Sequence, residues 1–320
     1  MSLNCLSFVM TDTCNASCGM CCFSCSPQKK TVLDKELVKD YIRQAAELET
    51  VKQIAFTGGE AIIYYDTLRE CMEYAKGFGM TSTLVSNGFW GKSFDDGYNK
   101  IKGLKEAGLK HISFSVDKFH QEYVPASSVR NAVTIARQLG VLSAVTLMDL
   151  KDGESVYSSI EEFRDLFYGC DLIVYPCFPA GEAKKLIPED RFIRECDSLF
   201  ACCPFENTIT VLFDGTMMMC CSQFSRDIDM VKVGKFGDTS LKEAIDNLNN
   251  NDFVYVLLNN GFGWFVKLAR SFGKKVKDKY CVSCHLCYDL FTDRDFVEKC
   301  KPFVEKEAQR LRVIRFMGLR

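Results

Sequence analysis

The chain has 320 residues, 47% hydrophobic and 26% charged, with a formal net charge of −2. These fractions exclude a disordered chain, and the near-neutral charge gives no footprint for nucleic acid or an anionic membrane. No apolar run reaches membrane-spanning length, and the start Met1-Ser2-Leu3-Asn4 lacks the regions of a secretory signal, so a cytoplasmic chain is expected.

In chain order, Leu3 to Met10 reads as a strand that runs into Cys14, Cys18 and Cys21, spaced C-x3-C-x2-C. Thiols this close in sequence can converge on one cluster without a long loop having to close. A four-iron cluster held by three of them would keep one iron open, the mark of a catalytic rather than a structural metal site. A helix is expected from Thr31 to Glu49, with Thr31 and Asp34 as its capping box and Leu37, Tyr41, Ala45 and Leu48 as its stripe. Val51 to Phe56 reads as a strand ending in Thr57-Gly58-Gly59-Glu60, then Tyr65 to Phe78 as a helix. Thr81 to Val85 is a strand ending at Ser86-Asn87-Gly88, and Phe94 to Ala107 a helix. The alternation continues with strand His111 to Val116, helix Ser127 to Leu139, strand Val141 to Met148, helix Ser158 to Phe167 and strand Leu172 to Pro176. Regular alternation argues for an α/β fold on a parallel sheet. Six units are too few for a closed eight-stranded barrel, so an open, partial (β/α)6 TIM-like barrel is expected over residues 1–181.

Past Gly181 the pattern changes. Ile209 to Phe213, the turn Asp214-Gly215 and Thr216 to Met219 read as a β-hairpin. Helices follow at Leu241 to Asn249, Phe253 to Leu258 and Trp264 to Phe272, then a Cys281 to Cys287 knot and a last helix from Asp293. Residues 182–320 are therefore expected as a smaller cysteine-rich domain. The chain's 18 cysteines cluster near residues 14–25, 202–221 and 281–300. In a reducing compartment such clustering favours metal over disulfides, and soft sulfur suits zinc or iron–sulfur clusters. Cys5, Cys71, Cys170, Cys177 and Cys196 stand alone and read as small buried hydrophobes.

Cys14, Cys18 and Cys21 together with Gly58-Gly59-Glu60 after the second strand resemble the radical S-adenosylmethionine (SAM) enzymes. The resemblance implies that the three cysteines bind a [4Fe-4S] cluster and that Gly58, Gly59 and Glu60 contact the methionine amino group of SAM. Glycines there would let the backbone approach a ligand closely. Ser86 and Asn87 after the third strand, and Ser115 with Asp117 at the fourth, lie where the family binds the rest of SAM. All fall at strand C-termini, where ligands of such folds lie. Met20 departs from the aromatic the family usually carries there, and would pack on the adenine instead. The second domain resembles the SPASM/twitch type, because Cys203, Gly215 and Cys220 fit its opening pattern. Its full two-cluster ending is replaced by Cys281-x2-Cys284-x2-Cys287, which implies one auxiliary [4Fe-4S] cluster, on Cys203, Cys220, Cys284 and Cys287. Zinc is the alternative at the C-terminal knot, and His285 within it is expected to face solvent.

A broader match runs from Cys21-Cys22-Phe23-Ser24-Cys25-Ser26-Pro27 through Ser86-Asn87-Gly88-Phe89-Trp90-Gly91 to Cys220-Cys221-Ser222 and Gly261-Phe262 with Trp264-Phe265. Together these look like the YydG-type peptide epimerases, which convert L-residues, mainly Val and Ile, to D-residues in a ribosomally made precursor peptide. That resemblance implies Cα hydrogen abstraction by a 5′-deoxyadenosyl radical, hydrogen return from a cysteine thiol, and an electron donor such as flavodoxin or ferredoxin. It sets the donor thiol at Cys221. Strand alternation would send Cys220 to the cluster and Cys221 to the opposite face, and a one-residue register error would exchange them. Cys22 and Cys25 are open between ligation and packing. His120 reads as a hydrogen-bonded structural residue, and the Gly261 to Phe265 group as core. The competing functions are a peptide maturase forming a thioether or carbon–carbon crosslink and a non-enzymatic iron–sulfur or zinc scaffold.

Overall fold

The computed structural model describes residues 2–151, 154–205 and 207–318. Strands β1 (Cys5–Val9), β2 (Gln53–Thr57), β3 (Thr81–Ser86), β4 (Leu109–Ser115), β5 (Leu142–Asp149) and β6 (Asp171–Pro176) alternate with helices. These are α1 (Lys35–Ala46), α2 (Tyr65–Gly77), α3 (Phe94–Glu106), α4 (Lys118–Gln121), α5 (Ala126–Gln138) and α6 (Glu154–Phe163). Each strand pairs in parallel with the next, from Cys5↔Gln53 to Asp149↔Pro176. The helices return the chain between strands, so all six strand C-termini meet at one rim. This is the expected partial barrel. Leu6, Phe8, Ile54, Phe56, Leu84 and Ile112 are fully buried in the main core. Alternate positions on the other face carry small side chains, among them Ser7, Ala55, Ser113 and Thr146, with the last two hydroxyls 3.0 Å apart. Closed barrels fill their interiors with bulky branched residues; small ones here leave the interior uncrowded.

The start of α1 differs from expectation. Its N-cap is Asp34, whose carboxylate accepts the Leu37 N–H at 3.0 Å. Thr31 is instead tied to the exit of β1, donating its N–H to Asp12 at 2.9 Å and accepting from the Thr11 hydroxyl at 2.5 Å. The buried stripe is Val38, Tyr41, Ile42 and Ala45, and Leu37 is 37% exposed. The sixth helix lies four residues earlier than its periodicity predicts, at Glu154–Phe163.

Beyond residue 181 come α7 (Ala183–Leu186), β7 (Cys196–Asp197), the hairpin β8 (Thr208–Val211) and β9 (Thr216–Met218), and β10 (Lys232–Lys235). Strand β8 pairs in parallel with β1, Cys5↔Thr208 to Phe8↔Val211. Among the described residues one sheet therefore runs β10-β9-β8-β1-β2-β3-β4-β5-β6, crossing residue 181. Helices α8 (Leu241–Asn249), α9 (Asp252–Asn260) and α10 (Phe262–Ser271) follow, then β11 (Lys279–Tyr280), which pairs with β7, α11 (Ser283–Phe291) and α12 (Arg294–Phe316). The rings of Phe253, Phe265, Phe291 and Phe296 pack together between these helices. Phe262 and Phe265 are buried, so the 261–265 aromatic group is core. No described helix is long and apolar enough to cross a membrane.

Candidate active site

At the rim, the chain leaves β1 as the cysteine loop. Cys14, Cys18 and Cys25 are buried together with Ala16, and Cys21, Met20, Phe23 and Phe119 pack against them. Two sulfurs accept backbone N–H groups: Cys14 from Ala16 at 3.4 Å and Cys21 from Cys25 at 3.3 Å. Burial pushes the Cys14 thiol up to about 12, and Cys18 is raised by burial and then by the neighbouring Cys21 and Cys14 sulfurs. Cys21 goes the other way, lowered to about 6 first by its hydrogen bond with the Cys25 side chain. A bare protein would keep Cys14 and Cys18 protonated; an iron cluster would supply the positive charge that holds them as thiolates. The three spaced cysteines are thus together and chemically suited to a cluster. Cys25 shares their pocket, whereas Cys22 neighbours Cys21 and Cys177.

The Gly58-Gly59-Glu60 turn closes against this loop. The Gly59 and Glu60 N–H groups donate to the Thr11 and Thr13 carbonyls at 2.7 and 2.9 Å. A Cβ on Gly59 would lie 2.2 Å from the Thr13 oxygen, and one on Gly58, at φ +150°, 2.7 Å from the Thr11 oxygen. The close approach that demands glycine is therefore to the cysteine loop's own backbone. A Gly59→Ala protein must push the two loops apart. It should lose about 1–3 kcal/mol of stability by chemical denaturation, as overpacked sites do.

Glu60 is 1% exposed and its Oε2 accepts the Asn87 N–H at 2.8 Å, while Oε1 has no partner. Burial pushes this carboxyl up to about 7, against hydrogen bonds from Asn87 and Ser86 that pull it down. A buried carboxylate with one unmet oxygen is costly unless a cation completes it. Asn87 also donates its amide to Asn15 at 2.9 Å and to the Cys14 sulfur at 3.9 Å, joining the third strand to the cysteine loop. Asn15 carried no signal in the sequence beyond lying between two cysteines. The Ser86 hydroxyl accepts from the Gly88 N–H at 3.1 Å and the buried Trp90 indole at 3.0 Å, so it shapes the turn that presents Asn87. Ser115 ends β4 in register with Thr146. Asp117 is fully buried, and its Oδ1 accepts the Phe119 and His120 N–H groups and the His120 ring at 3.0, 3.2 and 2.9 Å. Its Oδ2 has no partner. Burial pushes His120 down, but Asp117 outweighs it and the imidazole is raised overall. His120 is thus hydrogen-bonded, as expected of it. Two buried carboxyls, Glu60 and Asp117, therefore each keep one orphaned oxygen beside the cysteine loop. This donor set fits a cationic, hydroxyl-bearing ligand.

A second group of thiols lies in the C-terminal half. Cys203, Cys220 and Cys287 pack on the main core, and Cys284 sits one helical turn before Cys287 on α11. Burial pushes Cys203 to about 12 and Cys220 to about 11. Cys287 is raised by burial and then by Cys220, Cys203 and Cys284, so the four thiols are mutual neighbours. Cys281, two residues before the helix, packs instead on Cys177 and Phe192 and accepts from Arg194 at 3.8 Å. Cys300 is buried in α12, with burial the sole cause of its rise to about 12. Among the described residues no three His, Cys, Asp or Glu side chains converge on a single ion's position. His285 corrects the expectation of solvent exposure. It is 8% exposed and stacks on Phe224 at 5.3 Å, and burial lowers it to about 4. The alternation argument for Cys220 and Cys221 also fails locally, since β9 ends at Met218, before the pair. The two thiols nonetheless separate: Cys220 is largely covered and Cys221 exposed.

The sequence profile of the Radical SAM superfamily matches residues 8–167. The putative peptide biosynthesis protein YydG of Bacillus subtilis (strain 168) is 27% identical over 310 residues, covering 94% of this chain and 96% of that protein. Among solved structures, native anSMEcpe with bound AdoMet and Cp18Cys peptide superposes with a TM-score of 0.57 at 14% identity, over 97% of this chain and 100% of that one. Streptococcus suis SuiB bound to S-adenosylmethionine gives a TM-score of 0.51 at 11% identity, over 83% and 68%. The three-cysteine loop, the orphaned carboxyls at the rim of a six-stranded partial barrel and the match across half the sequence agree: the chain belongs to the radical SAM superfamily, whose cofactors are SAM and a [4Fe-4S] cluster.

Proposed function

We propose that this chain is a radical SAM peptide epimerase, inverting L-residues, Val and Ile foremost, in a ribosomally made precursor peptide. The observation that carries this reading is the split of one cysteine pair. Cys220 is largely covered beside Cys203, Cys284 and Cys287, and the adjacent Cys221 is exposed. The peptide-biosynthesis name of the B. subtilis relative supports a peptide substrate.

In this reading Cys14, Cys18 and Cys21 hold the cluster, and residues 1–181 form the SAM-binding half. Reduced cluster and SAM together supply a 5′-deoxyadenosyl radical that takes one hydrogen atom from a peptide Cα. The orphaned Glu60 oxygen pairs with the amino group of SAM, on a turn fixed by Gly58 and Gly59. Ser86, Asn87, Ser115 and Asp117 line the remainder, with the free Asp117 oxygen open to a hydroxyl. Cys221 then gives its S–H hydrogen to the opposite face of the flattened Cα, which fixes the D form. One electron from a donor such as flavodoxin or ferredoxin and one proton from solvent restore the thiol, so the peptide keeps its formula. Cys203, Cys220, Cys284 and Cys287 would hold one auxiliary [4Fe-4S] cluster in residues 182–320, which would supply one-electron chemistry beside Cys221. A reducing cytoplasm suits a chain whose described cysteines form no disulfide.

Glu60→Gln removes the charge that the amino group meets. Loss of a charge-assisted hydrogen bond, about 1.5–3 kcal/mol, should weaken SAM binding about 10- to 150-fold by titration calorimetry. The function itself is tested by the product of a precursor peptide incubated with reductant and SAM. Unchanged mass with a D-residue on chiral hydrolysate analysis supports epimerisation. Loss of two hydrogens would instead establish the crosslinking maturase.

A further inference from the structure

We propose that the peptide substrate binds as an added strand on the free edge of β6, which delivers its reacting residue to the rim between the cysteine loop and Cys221. The inference rests on the reading of this chain as a peptide-modifying enzyme and specifies how the peptide is held.

Strand β6 ends the sheet. It is bonded on one side by β5, from Ala144↔Asp171 to Asp149↔Pro176, and no described strand lies on its other side. A free edge presents a row of backbone donors and acceptors whose natural complement is another extended chain. Proteins ordinarily blunt such edges with lysines, bulges or cover. The opposite edge of this same sheet is blunted that way: β10 reads Lys-Val-Gly-Lys and its register breaks between Lys232 and Gly234. Edge β6 has neither device along its middle, and its charged residue and proline, Asp171 and Pro176, stand only at its two ends. Its sequence is Asp-Leu-Ile-Val-Tyr-Pro, and none of the six residues is buried. Leu172 and Val174 are 40% and 42% exposed on one face, and Tyr175 is 51% exposed on the other. One edge of the sheet is guarded and the other is left apolar, uncharged along its middle and open.

The position of this edge fits a substrate track. Six residues past the end of β6, the chain is bound to the cysteine loop: the Glu182 N–H donates to the Cys21 carbonyl at 2.9 Å. Gly181, at φ +56°, lies so close that a Cβ would meet the Cys21 oxygen at 2.3 Å. On the other side Phe178 packs on Phe224 at 5.1 Å, and Phe224 lies three residues beyond Cys221. A strand laid along β6 thus runs out between the two segments that the reaction uses. Six residues of strand span roughly 20 Å, enough to fix the register of a peptide before its end reaches the rim. The β-branched residues expected in the substrate favour the extended state such pairing needs. Alternate side chains of the guest would meet Leu172 and Val174 on one face and Tyr175 on the other.

The test is amide hydrogen exchange on the reconstituted holoenzyme, read by mass spectrometry. The probe is a synthetic peptide of about a dozen residues with a central run of alternating valine and isoleucine, flanked by lysines. At saturating probe, exchange across residues 171–176 should slow at least about tenfold. A Leu172→Lys/Val174→Lys double variant changes only exposed side chains, and should raise the KM for peptide about tenfold, more than it changes kcat. Unchanged exchange at 171–176 overturns the inference, whether or not the probe is turned over. Protection that grows with enzyme concentration in the absence of peptide would also overturn it, because the edge would then serve a second copy of this chain. Peptide-dependent protection with no inversion of any residue would sustain the docking track and refute the epimerase reading instead.

Discussion

A Cys221→Ala protein will still cleave SAM but will invert no residue, with D-product falling at least about a hundredfold in chiral analysis of the hydrolysed peptide. The two halves of the reaction use different groups, so they must separate. Cleavage of SAM would depend on the N-terminal thiols, on the loop after β1, and on Glu60 after β2, whereas Cys221 lies beyond the hairpin. Inversion needs a hydrogen atom delivered from the face opposite to the one attacked. An exposed thiol beside a buried cluster group has the S–H bond and the access for that; alanine has neither. The same substitution at Cys220 should behave differently. Cys220 is raised to about 11 by burial among sulfurs, and losing it should lower the iron content of the auxiliary group. Full inversion by Cys221→Ala would assign the donor to another thiol.

Replacing Cys14, Cys18 and Cys21 together by alanine will abolish SAM cleavage and lower iron from about eight to about four atoms per chain after anaerobic reconstitution. The prediction follows from the separation of the two thiol groups. The N-terminal set sits on the loop after β1, and the second set joins the segment before β8, the end of the hairpin and α11. On the proposed assignment neither set borrows a ligand from the other, so the auxiliary cluster should survive the loss of the first. Cys300→Ala is the control. Cys300 is buried in α12 with no sulfur neighbour raising it, and its removal should leave the iron count as it was. Iron falling to zero in the triple variant would show that the two sites are not independent.

Much of the barrel was legible because its signals are local. Apolar alternation marks the strands, the 3.6-residue stripe marks the helices, and glycine-rich ends mark the rim. The errors arose where distant partners decide. Thr31 looks like a cap, but its backbone is claimed by Asp12, nineteen residues before it in chain order. The parallel pairing of β8 with β1 joins residues some two hundred positions apart, and nothing local announces it. His285 sits in a cysteine-rich segment that reads as polar, yet Phe224 supplies a stacking ring that the sequence does not place. The division of the C-terminal cysteines turns on where a helix begins. Ser283 opens α11, so Cys284 and Cys287 fall one turn apart on it while Cys281 stays outside. In the N-terminal site the motif residues were visible, but their work was not all visible. Gly59 serves the cysteine loop's backbone and Ser86 serves a turn. The sequence therefore singled out residues that the fold brings together at one rim and left the division of labour to the packing.

The account turns on a hydrogen returned by an exchangeable thiol, and turnover in deuterated water tests that most directly. With precursor peptide, SAM and reductant, each inverted residue should gain about one mass unit, with the deuterium located at its Cα by fragmentation. Inverted residues carrying only protium at Cα would contradict a thiol donor in exchange with solvent.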